Sequence, residues 1–251
     1  METKTFNMAY SYPEEVEKAK KENWPVLLPV GTMEYHSSIC PYGCDALAAK
    51  GIMEKIGEKM DCMILPTVWY GVSSYAVGGP EKNTINMDVD IFEGYIYNIL
   101  KSLLWSGFRN INILICHQTE EILPTAAACI KAGKKLTFEF LEQTKGYGWW
   151  GRNENKEFYQ NLSATDNPWN WIRVFNGSPK RLGLPGDHAG KEECSELEYL
   201  YPGSIKLERL NDCDDWFTET AKEMSREHGE ERISKIVDEM VTTIKEYRPC
   251  L

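Results

Sequence analysis

Glu34, His36 and Asp45 fall within a twelve-residue stretch that follows directly on an apolar run closed by Gly31. On an extended segment, residues two apart project to the same side, so Glu34 and His36 can face one ion while Asp45 returns from the loop to meet them. Carboxylate and imidazole together suit zinc, manganese or iron, and a carboxylate between two ions can bridge them. Taken alone, the stretch also reads as a polar loop after a strand, because Glu-x-His pairs are common. Two further constellations sharpen it. His117 stands at the end of the run 110–116, and Gly186-Asp187-His188-Ala189-Gly190-Lys191-Glu192-Glu193-Cys194-Ser195 brings another histidine with carboxylates. The chain has only four histidines, and three of them occur in these segments. The fourth, His228, lies among Glu227, Glu230 and Glu231 and reads as a solvated surface residue.

Cysteine offers a different chemistry. The eight cysteines (40, 44, 62, 116, 129, 194, 213 and 250) include no Cys-x-x-Cys pair, so reduced thiols are the simplest reading. Cys116 and Cys194 each adjoin a histidine motif, which leaves open a cysteine-nucleophile hydrolase using His117 or His188. A non-catalytic metal or metabolite-binding protein is the third alternative.

These residues need a scaffold. The apolar run 25–30 reads as a strand buried on both faces of a parallel sheet, and 45–59 carries apolar residues at helical spacing. A second strand is expected over 62–66, a long loop over 69–83, and an amphipathic helix over 90–105 ended by Ser106-Gly107. Residues 110–116 form the clearest strand, followed by a helical segment at 126–132. Ligands of open α/β sheets gather outside the carboxyl ends of strands, where both the Gly31 loop and His117 stand. Residues 144–186, rich in Gly, Asn, Trp and Pro, show no clear periodicity; an aromatic region such as Tyr147-Gly148-Trp149-Trp150 can cap a substrate pocket or bury itself in a subunit interface or in plain packing. Helices are expected over 195–199 and 215–247.

The bulk properties set limits. A length of 251 residues suits one large α/β domain spanning 1–251, and 42% hydrophobic with 26% charged residues is ordinary for a globular protein. The net charge of −10 argues against a nucleic-acid partner. No run reaches the roughly 18 apolar residues of a membrane span, and the amino terminus lacks the apolar stretch of a signal peptide, so neither a membrane partner nor export is expected, and the location expected is cytoplasmic.

Together the motifs resemble the creatininase family of metal-dependent amidohydrolases. Glu34, His36, Pro41 and Asp45 match its Glu-x-His-Gly-x-His-Leu-Pro pattern closing on Asp. His117, after Ile113-Leu114-Ile115, matches its strand-end Asn-Gly-His-Gly-Gly-Asn. His188, Ala189, Gly190, Glu193 and Ser195 match His-Ala-Gly-Glu-x-Glu-Thr-Ser, and Gly107-Phe108-Arg109 resembles the Gly-Phe-Arg before the histidine strand. Departures mark a divergent member: Ser37 stands for the motif glycine, Ile39 for its second histidine, Cys194 for the threonine, and Gln118 and Thr119 lie in place of the glycine-rich surroundings of the strand-end histidine.

The resemblance implies a three-layer α/β/α sandwich with a mostly parallel sheet, often assembled as a homohexamer. It implies two divalent ions (zinc, manganese or iron) held by Glu34, His36, Asp45 and His117, with Asp45 between them and a last carboxylate from Glu193 or Glu120. A metal lowers the pKa of bound water from about 15.7 to about 7, so the implied reaction is hydroxide attack on the C–N bond of a small cyclic amide, formamide or related molecule. His188 and Glu120 are the catalytic candidates, and Asp187 and Trp149 the substrate-binding ones.

Overall fold

The computed structural model describes residues 3–118, 124–179, 182–212 and 214–247. Five strands, β1 (Thr5–Asn7), β2 (Val26–Val30), β3 (Cys62–Ile64), β4 (Ile111–Ile115) and β5 (Ile172–Asn176), form an all-parallel sheet in the order β1-β3-β2-β4-β5. Seven α-helices are described: α1 (Pro13–Lys21), α2 (Cys44–Gly57), α3 (Val89–Trp105), α4 (Pro124–Lys145), α5 (Lys156–Gln160), α6 (Lys191–Leu200) and α7 (Arg226–Glu246). The architecture is the α/β/α sandwich expected from the motifs.

Every residue of β2 and β4 is buried, and alternate side chains divide between two cores. Val26, Leu28, Val30, Ile111, Ile113 and Ile115 pack toward α1, α3 and α4. Leu27, Leu114 and Phe175 pack toward α2 and α7. This two-sided burial is why these strands read as continuous apolar runs rather than as an alternation. Pro29 is tolerated in a central strand because β3 pairs only with Val26 and Leu27; beyond that point the Pro29 carbonyl accepts from the Val68 N–H (2.9 Å), and its missing N–H breaks no ladder bond.

From β2 the chain moves to β3 on one side, and from β4 to β5 on the other. The sheet therefore reverses direction between β2 and β4, and the loops leaving their carboxyl ends face a common crevice. Among the described residues no helix is long and apolar enough to cross a membrane.

Candidate metal centre

Gly31 sets the exit of β2. A Cβ there would lie 2.2 Å from the Ala46 nitrogen and 2.4 Å from its Cα, so only glycine lets the strand end press against the first turn of α2. That contact places the loop carrying Glu34 and His36 beside Asp45. The loop is then held from several directions: the Glu34 N–H donates to the Tyr42 carbonyl (3.0 Å), the Tyr35 N–H to Thr84 Oγ1 (3.0 Å), and the Lys206 N–H to the Ile39 carbonyl (2.9 Å).

Five sequence-expected ligands converge. His36 Nε2 lies 3.2 Å from Asp45 Oδ1 and 3.5 Å from Glu193 Oε2. His117 Nδ1 lies 2.9 Å from Asp45 Oδ2 and 3.4 Å from Glu34 Oε2. Asp45 thus turns one oxygen to each imidazole. Two ligands about 2.1 Å from one tetrahedral ion stand about 3.4 Å apart, which is the spacing of these pairs. His36 Nδ1 lies 3.0 Å from the Glu34 carbonyl; as donor in that bond it leaves Nε2 as a bare lone pair facing carboxylates. Among the described residues Glu34 Oε1 and His117 Nε2 are buried without a hydrogen-bond partner, and His36 Nε2 and Asp45 Oδ2 face the carboxylates and imidazoles of the cluster itself. Lone pairs turned on one another in a buried site are costly unless a proton or a cation stands between them, so this donor set fits divalent ions.

Electrostatics say the same. Burial drives the Glu34 carboxyl up to about 7, against the attraction of His117. Burial would also raise Asp45, but His36 and His117 outweigh it and hold that carboxyl well below its usual range. Burial would lower His36, yet Glu193 and Asp45 push it well above its ordinary value.

Each site histidine is followed by a non-glycine residue in the left-handed region: Ser37 (φ 63°), Gln118 (φ 66°) and Ala189 (φ 48°). In the first two motifs the family pattern has glycine at that position. The physical reason is visible here, because the chain must reverse after each histidine to leave its ring facing the crevice. Gln118 carries a further cost, since both polar atoms of its side chain are buried with no partner among the described residues.

Glu193 sits in the first turn of α6, where its Oε2 also accepts the Ala189 N–H (2.7 Å). It therefore serves helix start and cluster together. Asp187 accepts the N–H groups of Glu192 (2.8 Å) and Glu193 (3.0 Å), which places it as the clamp on the amino end of α6. His188 stacks on His36 with ring centroids 4.1 Å apart, meets the edge of Phe217 at 4.9 Å, and has Nε2 2.9 Å from the Tyr35 carbonyl. Burial and the neighbouring His36 lower its pKa. Trp149 is buried in the core on the α4 side against Phe138, Trp150 and Tyr159, and the structure does not bring it to the cluster. Glu120 lies outside the described residues.

His228 corrects the surface reading. Its Nε2 is 2.6 Å from Glu192 Oε2, which also meets Arg232 (2.8 Å), and Arg232 in turn binds Glu196 (2.6 Å) and the Pro185 carbonyl (2.8 Å). The acidic neighbours of His228 in sequence gave no hint of this α6 partner. At Gly229 a Cβ would stand 1.9 Å from the Ser195 carbonyl oxygen, so α6 and α7 touch backbone to backbone there. The network fastens the helix that carries Glu193.

Neither Cys116 nor Cys194 suits a nucleophile. Burial pushes Cys116 well above the ordinary thiol range, and the Cys40 thiol together with burial does the same to Cys194. Ile39, at the position of the family's second histidine, is buried with Cys44, Cys194, Leu197, Ile205 and Ala221 and brings no polar group to the centre.

A parallel α/β/α sheet with a cluster of carboxylates and imidazoles at its switch point defines a protein with a candidate metal centre. The creatininase (creatinine amidohydrolase) family model matches residues 9–244, and the chain belongs to that family. A 102-residue segment is 28% identical to a 3-dehydro-scyllo-inosose hydrolase of Thermotoga maritima, covering 40% of this chain and 32% of that protein. Over 192 residues the chain is 22% identical to a creatinine amidohydrolase of Pseudomonas putida, covering 74% of this chain and 68% of that protein. A tryptophan mutant of creatininase superposes with a TM-score of 0.73 at 19% identity, covering 98% of this chain and all of that one, and similar creatininases are known in zinc–zinc and manganese forms.

Proposed function

We propose that this protein is a metal-dependent amidohydrolase that cleaves the C–N bond of a small cyclic amide, formamide or related molecule. One observation carries the reading: Asp45 presents an oxygen to each of two imidazoles, inside a cluster whose remaining lone pairs are buried without partners. Glu34, Asp45 and His117 would hold one divalent ion, and His36, Asp45 and Glu193 the other, with zinc, manganese or iron as the cofactor. When bound, such ions supply hydroxide at neutral pH and an electrophile for the substrate carbonyl.

The chain's own groups do the rest. Glu34, Asp45 and Glu193 carry three negative charges when ionised; two divalent ions reverse the sign by one unit, which suits an anionic nucleophile or an anionic tetrahedral intermediate. His188, with its pKa lowered, is neutral near pH 7 and its Nε2 is engaged with the Tyr35 carbonyl. In that tautomer its Nδ1 is free to take a proton from the attacking water and to return it to the leaving nitrogen. Phe217 and His36 hold the ring from edge and face. Asp187 acts one step back, fixing the turn that presents His188 and Glu193. Ile39 in the place of a polar family residue supports a substrate other than creatinine.

A panel of creatinine, other lactams, formamides and an inosose, assayed before and after dipicolinate treatment, tests the reading. Hydrolysis that stops on chelation, returns with zinc or manganese and ignores iodoacetamide supports it. Activity that survives chelation and vanishes on alkylation would transfer the reaction to a cysteine. A cytoplasmic homohexamer is the form this reading expects, and sedimentation velocity measures the assembly.

A further inference from the structure

Resting on the metal-centre reading above, we propose that Cys44 is an additional ligand of the ion held by His36, Asp45 and Glu193, making that centre thiophilic and selective for zinc over manganese. The sulfur of Cys44, a ring nitrogen of His36 and a carboxylate oxygen of Glu193 all lie within 4.8 Å of one another. His36 Nε2 is buried, makes no well-formed hydrogen bond and faces Asp45 Oδ1 (3.2 Å) and Glu193 Oε2 (3.5 Å), the carboxylates that would share the ion. Zinc–sulfur bonds of about 2.3 Å and zinc–nitrogen bonds of about 2.0 Å are reached from this spacing by shifts of about 1 Å or less.

The other trio, Glu34, Asp45 and His117, offers oxygen and nitrogen alone. The two halves of the centre therefore differ in softness. Oxygen donors accept manganese readily, whereas a thiolate favours zinc, cadmium and cobalt. Cys44 is the first residue of α2 and Asp45 the second, so the helix start that delivers the bridging carboxylate delivers the thiol with it. The thiol is fully buried, with Cys40, Glu193 and Asp45 around it. Such a group ionises when a cation displaces its proton, which couples metal uptake to proton release. Cys40 and Cys194, whose sulfurs are 3.6 Å apart, stand behind it.

Chelated full-length protein is titrated with cadmium and, separately, zinc and manganese, with ultraviolet absorption and elemental analysis on the same samples. The expected result is a sulfur-to-cadmium charge-transfer band equivalent to one thiolate per chain. It should persist in the Cys40→Ser/Cys194→Ser variant and disappear in Cys44→Ser, whose zinc affinity falls at least about 10-fold while manganese affinity at the other trio holds. Ions bound without a band, or a band that persists in Cys44→Ser, overturn the assignment and leave the metal centre standing. If Cys44→Ser does not fold, the wild-type and double-variant spectra decide alone, because a band absent from either refutes it. A chain that binds no divalent ion refutes the proposed function as well.

Discussion

A metal-free sample should lose stability as the pH rises from about 5 to about 8. Glu34 is the group to follow. Its carboxyl is raised from 4.5 to about 7, chiefly by burial, so between those values the folded state keeps a proton that the unfolded state has released. Stability then falls with pH, and a shift of that size is worth on the order of 3 kcal/mol. His36 and His117 act in the same sense: partners raise them, so their stabilisation is complete below the unfolded imidazole value and is lost as pH climbs through the folded one. Asp45 and Glu193 are depressed, and their contribution is lost only on acidification, below this window. Urea unfolding of the chelated protein at a series of pH values measures the slope, and Glu34→Gln should flatten it by about the amount given. Zinc should invert the trend, because ligands bind the ion only once deprotonated. A metal-free stability that is flat or rising across the window, or an unchanged slope in Glu34→Gln, would refute the electrostatic account.

Replacing His188 with glutamine should reduce kcat by about 10²- to 10⁴-fold with metal content unchanged, as measured by steady-state kinetics beside elemental analysis. Gln118→Gly removes a left-handed side chain and an orphaned buried carboxamide, and should raise stability by about 1–2 kcal/mol in urea unfolding; a loss would show that the side chain has a structural partner in solution. Arg232→Met leaves Glu196 and Glu192 without their guanidinium and should cost about 3–5 kcal/mol, read as a lowered urea midpoint.

Much of the candidate centre was legible because its expected ligands lie in three short segments of the chain. Glu34, His36, Asp45, His117 and Glu193 come together as the motifs implied, and β2, β4 and α3 fall within a residue or so of their expected bounds. The rest was hidden for identifiable reasons. β5 is a five-residue strand interrupted by Arg173, which is buried and reaches Asn110 Oδ1 (2.9 Å) and the Thr243 carbonyl (3.1 Å); a charge in that position disguises a core strand. The helix expected at 195 begins at Lys191, because its first turn is charged and lacks apolar periodicity. That offset matters, since it puts Glu193 inside the helix. The last helix begins at Arg226, the aromatic residues Trp216 and Phe217 belonging to a separate 3-10 turn. β1 is three residues long, too short to show a pattern, whereas Pro13 at the first helical position of α1 with Glu14 and Glu15 behind it is a helix-start signal.

The central claim is that these carboxylates and imidazoles hold a pair of divalent ions with Asp45 between them. Elemental analysis of protein dialysed against zinc tests it directly: about two ions per chain in the wild type and about one or fewer in Asp45→Asn are expected. Fewer than about one ion in the wild type, or an Asp45→Asn variant that keeps the full complement, would contradict it.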